Sequence, residues 1–76
     1  MEYFAGLDVS VDETAICVVG NDGKVVLETA VETDPHVIGD ALRRYAGRLR
    51  RVGHEAGSLS LWLHAGLLEI GVPAVC

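Results

Sequence analysis

Two carboxylates stand where a carboxylate is costly. Asp8 closes the apolar run Tyr3–Val9, and Glu55 closes a second run, Arg51–Glu55, just before an Ala56-Gly57 turn. A charge at the end of an apolar strand has to reach solvent, find a partner or bind a metal. If the two strands are neighbours, both carboxylates arrive at the same edge of one sheet. Two converging carboxylates with no basic partner between them suit a hard divalent cation such as Mg²⁺, and would give it two protein ligands. The competing reading is a pair of strand-terminal acids that reach water. Spacing alone does not choose between the two.

The remaining reactive side chains carry less. Asp12 and Glu13 lie in the turn after the first strand and could add ligands, but turn acids are usually solvated. His54 precedes Glu55, so strand alternation puts it on the opposite face, where a core or hydrogen-bonded role fits best. His36 and His64 lie on helices with no partner at i, i+4. Ser10 has the look of a nucleophile, yet no histidine can be placed beside it. Ser58 reads as a helix cap, Trp62 as core, Cys17 as a buried strand residue and Cys76 as inert. No Walker-type loop is present. Gly6-Leu7-Asp8-Val9-Ser10 also has the outline of the strand-turn that opens sugar kinases and actin-like ATPases. Here that turn has no glycine, and Asp12-Glu13 would repel phosphate.

The elements that must hold Asp8 and Glu55 follow from the pattern. Tyr3–Val9 reads as a strand buried on both faces, and Thr14–Val19 as a second strand. Gly20-Asn21-Asp22-Gly23 is a hairpin signal, and Lys24–Glu32 alternates as a third strand paired with the second. Thr33-Asp34-Pro35 starts a helix. Val37, Ile38, Ala41, Leu42, Tyr45, Ala46 and Leu49 then recur at helical spacing, with Asp40 and Arg44 as an i, i+4 pair. After the Arg51–Glu55 strand, Gly57-Ser58 opens a second helix so apolar that it expects cover on more than one side. Gly71 caps that helix, and Pro73–Cys76 begins another strand. The order is β-β-β-α-β-α-β, with parallel pairing across each helical crossover.

Composition narrows the class. At 76 residues, half of them apolar and 22% charged, the chain is globular with room for one small core. No apolar run reaches the length of a membrane span. Met1-Glu2-Tyr3-Phe4 lacks the basic start of a signal peptide. Cys17 and Cys76 form no CxxC or Cys/His metal spacing, so a reducing, cytoplasmic setting is expected. The net charge is −5, from 6 basic and 11 acidic residues, which taken alone argues against broad electrostatic binding to nucleic acid. Five of the six basic residues, Arg43, Arg44, Arg48, Arg50 and Arg51, fall in one stretch, and nine of the eleven acids lie at or before Asp40. That split is compatible with a metal site beside a phosphate-binding edge. A solvated helix face is the plainer reading of the arginines.

Several elements together resemble a known family. They are Phe4-Ala5-Gly6-Leu7-Asp8-Val9-Ser10, the Asn21-Asp22-Gly23 hairpin, Gly53-His54-Glu55-Ala56-Gly57 leading to Trp62-Leu63, and Gly71-Val72-Pro73-Ala74-Val75-Cys76. The combination looks like the amino-terminal part of a DEDD-type bacterial insertion-sequence transposase. The resemblance implies a ribonuclease-H-like (RuvC-like) α/β fold with a mixed sheet, truncated before its final helix. Residues 1–76 would then be the N-terminal fragment of a catalytic domain. It carries the family's first acid onto Asp8 and the second onto Glu55, as catalytic and metal-binding residues. The remaining two acids and a serine nucleophile would follow Cys76. Relatives often have a Thr between the Ala and the Gly after the Glu, which this chain lacks. The resemblance further implies Mg²⁺-dependent cleavage and strand transfer of DNA by a homo-oligomer, a partner RNA that bridges donor and target DNA, and a fragment inactive alone. The rivals are a Holliday-junction-resolvase-like nuclease, an actin-like-fold phosphotransferase or ATPase, and a non-catalytic interaction domain.

Overall fold

The computed structural model describes residues 1–54 and 60–75. Its elements are β1 (Tyr3–Val9), β2 (Glu13–Gly20), β3 (Val25–Glu32), α1 (Pro35–Ala41), a 3₁₀ turn (Arg43–Tyr45), β4 (Leu49–His54), α2 (Ser60–Glu69) and β5 (Ala74–Val75). They form one five-stranded sheet in the order β3-β2-β1-β4-β5. β1 pairs antiparallel with β2 and parallel with β4, and β4 pairs parallel with β5. This is the anticipated β-β-β-α-β-α-β order in a mixed sheet, with β1 between β2 and β4.

Local chemistry accounts for the joints. Gly23 takes φ 83° in the β2–β3 hairpin, where its N–H donates to the Gly20 carbonyl. Asp34 caps α1 by accepting from the His36 and Val37 amides, with Pro35 in the first turn. α2 ends as a Schellman motif. Gly71 takes φ 87°, its N–H donates to the Leu68 carbonyl, and the Val72 N–H donates to the Leu67 carbonyl. The two helices meet where α2 has no side chain: a Cβ on Gly66 would stand 2.5 Å from Cγ of the rigid Pro35 ring.

The core lies on the helix-covered side of the sheet. Ala5 and Leu7 of β1, Ile16 and Val18 of β2, and Val52 of β4 pack with Ile38, Leu42, Tyr45, Leu63 and Leu67. Among the described residues, no helix is long and apolar enough to cross a membrane.

Several expectations are corrected. β1 is buried on one face only: Ala5 and Leu7 are buried, whereas Phe4, Gly6 and Asp8 are exposed. Gly6 made the run look apolar throughout, yet it contributes no side chain to bury. Cys17 shares that open face and is half-buried. The first helix stops at Ala41, because a 3₁₀ turn and then Gly47 at φ 85° redirect the chain. Leu49 therefore belongs to β4, paired with Tyr3. Asp40 pairs with Arg43 at 2.7 Å, not with Arg44. Trp62 is 54% exposed and not core; among the described residues of α2, Leu63 and Leu67 are the fully buried ones. The expectations for Glu55, the Ala56-Gly57 turn, the Ser58 cap, Leu59 and Cys76 lie outside the described residues.

Candidate active site

Asp8 is the next-to-last residue of β1, exposed on the open face of the sheet. Its strand is held on both sides. Asp8 itself pairs with Ala15 of β2, and the parallel ladder to β4 runs through Gly6↔Gly53 and Leu7↔His54. The carboxylate thus projects from a strand with neighbours on either side, which fixes its position. Glu55, the second predicted acid, directly follows His54 in the sequence and lies outside the described residues.

A shallow concavity of about 680 Å³ lies against this part of the sheet, with Asp8, Gly6, Ala15, Cys17, Gly53 and Glu28 among its lining residues. Gly6 and Gly53 are register partners, and a Cβ on Gly6 would meet nothing within 4 Å. The floor is therefore backbone and small side chains, open to a ligand that lies flat against it. Glu28 pairs with Cys17, two strands away from β1 and one row along from Asp8. Strand spacing puts it about 12 Å from Asp8, too far for one ion to be shared.

The turn after Asp8 is tied down by a relay of hydroxyls. Thr33 Oγ1 donates to the Ser10 carbonyl at 2.7 Å and lies 2.8 Å from Oγ1 of Thr14, which is fully buried. Thr33 spends its one proton on Ser10, so Thr14 is the donor to Thr33. Ser10 Oγ donates to the Glu13 carbonyl at 2.6 Å. Ser10 is thus a turn-closing residue, consistent with the absence of a partner base. Thr33→Val should cost about 1–3 kcal/mol, because it strands the buried Thr14 hydroxyl. Thr14→Val leaves the Thr33–Ser10 bond intact and should cost less. Urea denaturation of both variants checks the order, and equal losses would contradict the assigned proton direction.

His54 is buried on the helix side, with Nε2 3.0 Å from Nδ1 of His64 on α2. The bond joins the end of β4 to α2. His64 has no partner at i, i+4 on its own helix because its partner lies on β4. Asp12 and Glu13 are exposed. Among the described residues, no three His, Cys, Asp or Glu side chains group as a metal site. The donor present fits a hard cation nonetheless. Asp8 offers exposed carboxylate oxygens, and no lysine or arginine stands near it. Lys24 is in the hairpin at the far end of β2, Arg48 abuts Tyr3 at the far end of β1, and Arg50 and Arg51 open β4.

No family model matches the sequence, and no curated protein matches it. Structural comparison does find a neighbour: T. thermophilus RuvC, solved in complex with a Holliday junction substrate, superposes with a TM-score of 0.62 at 19% identity. The fold is ribonuclease-H-like, of the RuvC kind. The match covers 97% of this chain and 62% of the RuvC chain, so the chain spans under two thirds of that neighbour's length. In this RuvC-like arrangement Asp8 lies near the end of the middle strand of the sheet, and β4 runs parallel beside it.

Proposed function

We propose that the chain is the amino-terminal part of a metal-dependent DNA-processing enzyme, a DEDD-type transposase, with Asp8 and Glu55 as its first two metal-binding acids. The observation that carries this reading is the pairing of β1 with β4. The last parallel pair is Leu7↔His54, and the residue that follows each of them in the sequence is a carboxylate, Asp8 and Glu55. Divalent ions bound there would neutralise the attacking and leaving oxygens of a phosphodiester. The chain's own part is to hold the Asp8 carboxylate on a strand paired on both sides, beside a floor flat enough to admit a nucleic-acid backbone. An uncompensated acidic end repels phosphate, so a divalent cation is needed for a phosphodiester to come close to Asp8. Two acids make half a site, so the chain alone should hold metal weakly and cleave nothing. Mg²⁺, a cytoplasmic setting and a bridging RNA belong to the same reading.

The second reading is a junction-resolving nuclease, and what favours it is that the structural neighbour was solved on a Holliday junction. The full-length enzyme separates the two. A transposase joins element-end DNA to target DNA and requires the partner RNA. A resolvase nicks a synthetic four-way junction symmetrically without RNA. Cleavage of neither substrate with Mg²⁺ present would remove both readings and favour the phosphotransferase alternative, which nucleotide binding would then reveal. A homo-oligomer is part of the proposal too. Trp62, Leu68, Ile70 and Val75 expose apolar surface along α2 and the edge strand β5, and a clean monomer by light scattering under reducing conditions would contradict it.

A further inference from the structure

All six basic residues stand at the end of the sheet opposite Asp8. Lys24 lies in the β2–β3 hairpin, whose Asn21 N–H donates to the Glu2 carbonyl. Glu2 in turn pairs with Arg50 at 3.3 Å. Arg48 lies over the Tyr3 ring at 5.2 Å and donates to the Arg44 carbonyl at 3.3 Å. Arg51 pairs in register with Phe4 on the open face. These contacts join the hairpin, the start of β1, the 3₁₀ turn and the start of β4 into one continuous basic end. Arg43 and Arg50 have carboxylate partners in exposed pairs. Among the described residues, Arg44 and Arg51 have none, and Arg48 is held by an aromatic ring that leaves its charge uncompensated.

The net charge of −5 is therefore a separation of charges and not a uniform field. From Tyr3 to Asp8 is five strand steps, about 17 Å. Asp8, Asp12, Glu13, Glu32 and Asp34 crowd one end, and every lysine and arginine lies toward the other, where Glu2, Asp22 and Asp40 offset three of the six positive charges. The arginines thus form neither a helix face nor an edge of the candidate metal site. Guanidinium groups are more weakly hydrated than ammonium and bind phosphate oxygens two at a time, so an arginine-rich end is suited to a phosphodiester backbone.

We propose that Arg44, Arg48 and Arg51 form a second nucleic-acid contact that grips a phosphodiester backbone about 17 Å from Asp8 and needs no metal. The choice of a nucleic acid over other polyanions rests on the functional reading above, but the contact does not depend on Asp8 being catalytic. Fluorescence anisotropy of the 76-residue chain in EDTA, against a DNA duplex and an RNA duplex of the same sequence, tests it. Three phosphate contacts predict a log affinity that falls with log salt at a slope of about −2.7 on the DNA duplex. Arg44→Gln with Arg51→Gln should flatten that slope by about 1.8 and weaken binding on the order of a hundredfold near 50 mM salt. Both side chains are exposed, so circular dichroism should be unchanged. Asp8→Asn should leave slope and affinity as they are or slightly raise affinity, whatever its effect on metal binding. Stronger retention of the RNA duplex would assign the contact to a partner RNA, and stronger retention of the DNA duplex to element or target DNA. Equal binding by the parent and the double variant, or no binding to either duplex at low salt, would overturn the proposal.

Discussion

Asp8→Asn in the full-length enzyme should lower DNA strand cleavage by a hundredfold to a thousandfold or more and leave the fold intact. Loss of one group that stabilises transition-state charge typically costs about that factor, and a metal ligand acts through the metal as well. The fold should survive because the Asp8 side chain is exposed and the change is isosteric. The β1–β2 and β1–β4 ladders use only its backbone. Glu55→Gln should behave alike. Cleavage assays on element-end DNA, with circular dichroism as the control, read both effects. Substantial residual cleavage in either variant would remove that residue from the site.

Leu63→Ala should be among the most damaging single changes to stability. Leu63 and Leu67 of α2 are packed in the core, both 0% exposed. Truncating a buried leucine costs about 2–5 kcal/mol. A chain of this length has roughly 4–11 kcal/mol in all, at about 0.05–0.15 kcal/mol per residue. The loss is a large share of that total, so the urea midpoint should fall sharply. Trp62→Ala, on the exposed side of the same helix, should change stability by no more than about 0.5 kcal/mol. Urea melts followed by far-ultraviolet circular dichroism give both values. A larger loss at Trp62 than at Leu63 would mean that α2 packs by its other face.

The residues that fixed turns and caps were readable from the sequence because their chemistry is local. Gly23, Asp34-Pro35 and Gly71 each perform the backbone task that their type announces. The parallel direction of β4 followed from the helical crossover between β3 and β4, and its place beside β1 from the carboxylate expected at the end of each apolar run. Other features were hidden because they depend on what lies across from a residue. Leu42 and Tyr45 are three apart, so an α-helix and a 3₁₀ turn put them on the same side, and periodicity could not find the break after Ala41. The apolar run of β1 did not say which face would be covered, and the open one holds Asp8. The composition of α2 showed its apolarity but not that Trp62 faces outward. The candidate site was legible as far as Asp8's place at a strand end. The hydroxyl relay from Thr14 through Thr33 to Ser10 was not, because it joins residues 19 and 23 positions apart. The separation of charge was missed for a similar reason: the arginines cluster in sequence, but only the sheet puts Lys24 among them, and all six far from Asp8.

Binding of a divalent cation at the end of β1 can be read residue by residue from an Mn²⁺ titration followed by amide NMR. Mn²⁺ takes oxygen ligands as Mg²⁺ does, and broadens signals near it. The expected result is broadening centred on the amides of Asp8, Val9 and Glu55, displaced by excess Mg²⁺ and lost in Asp8→Asn. Broadening centred on the Asp12–Glu13 turn or on Glu28, with Asp8 unaffected, would contradict the claim, as would no broadening at millimolar Mn²⁺.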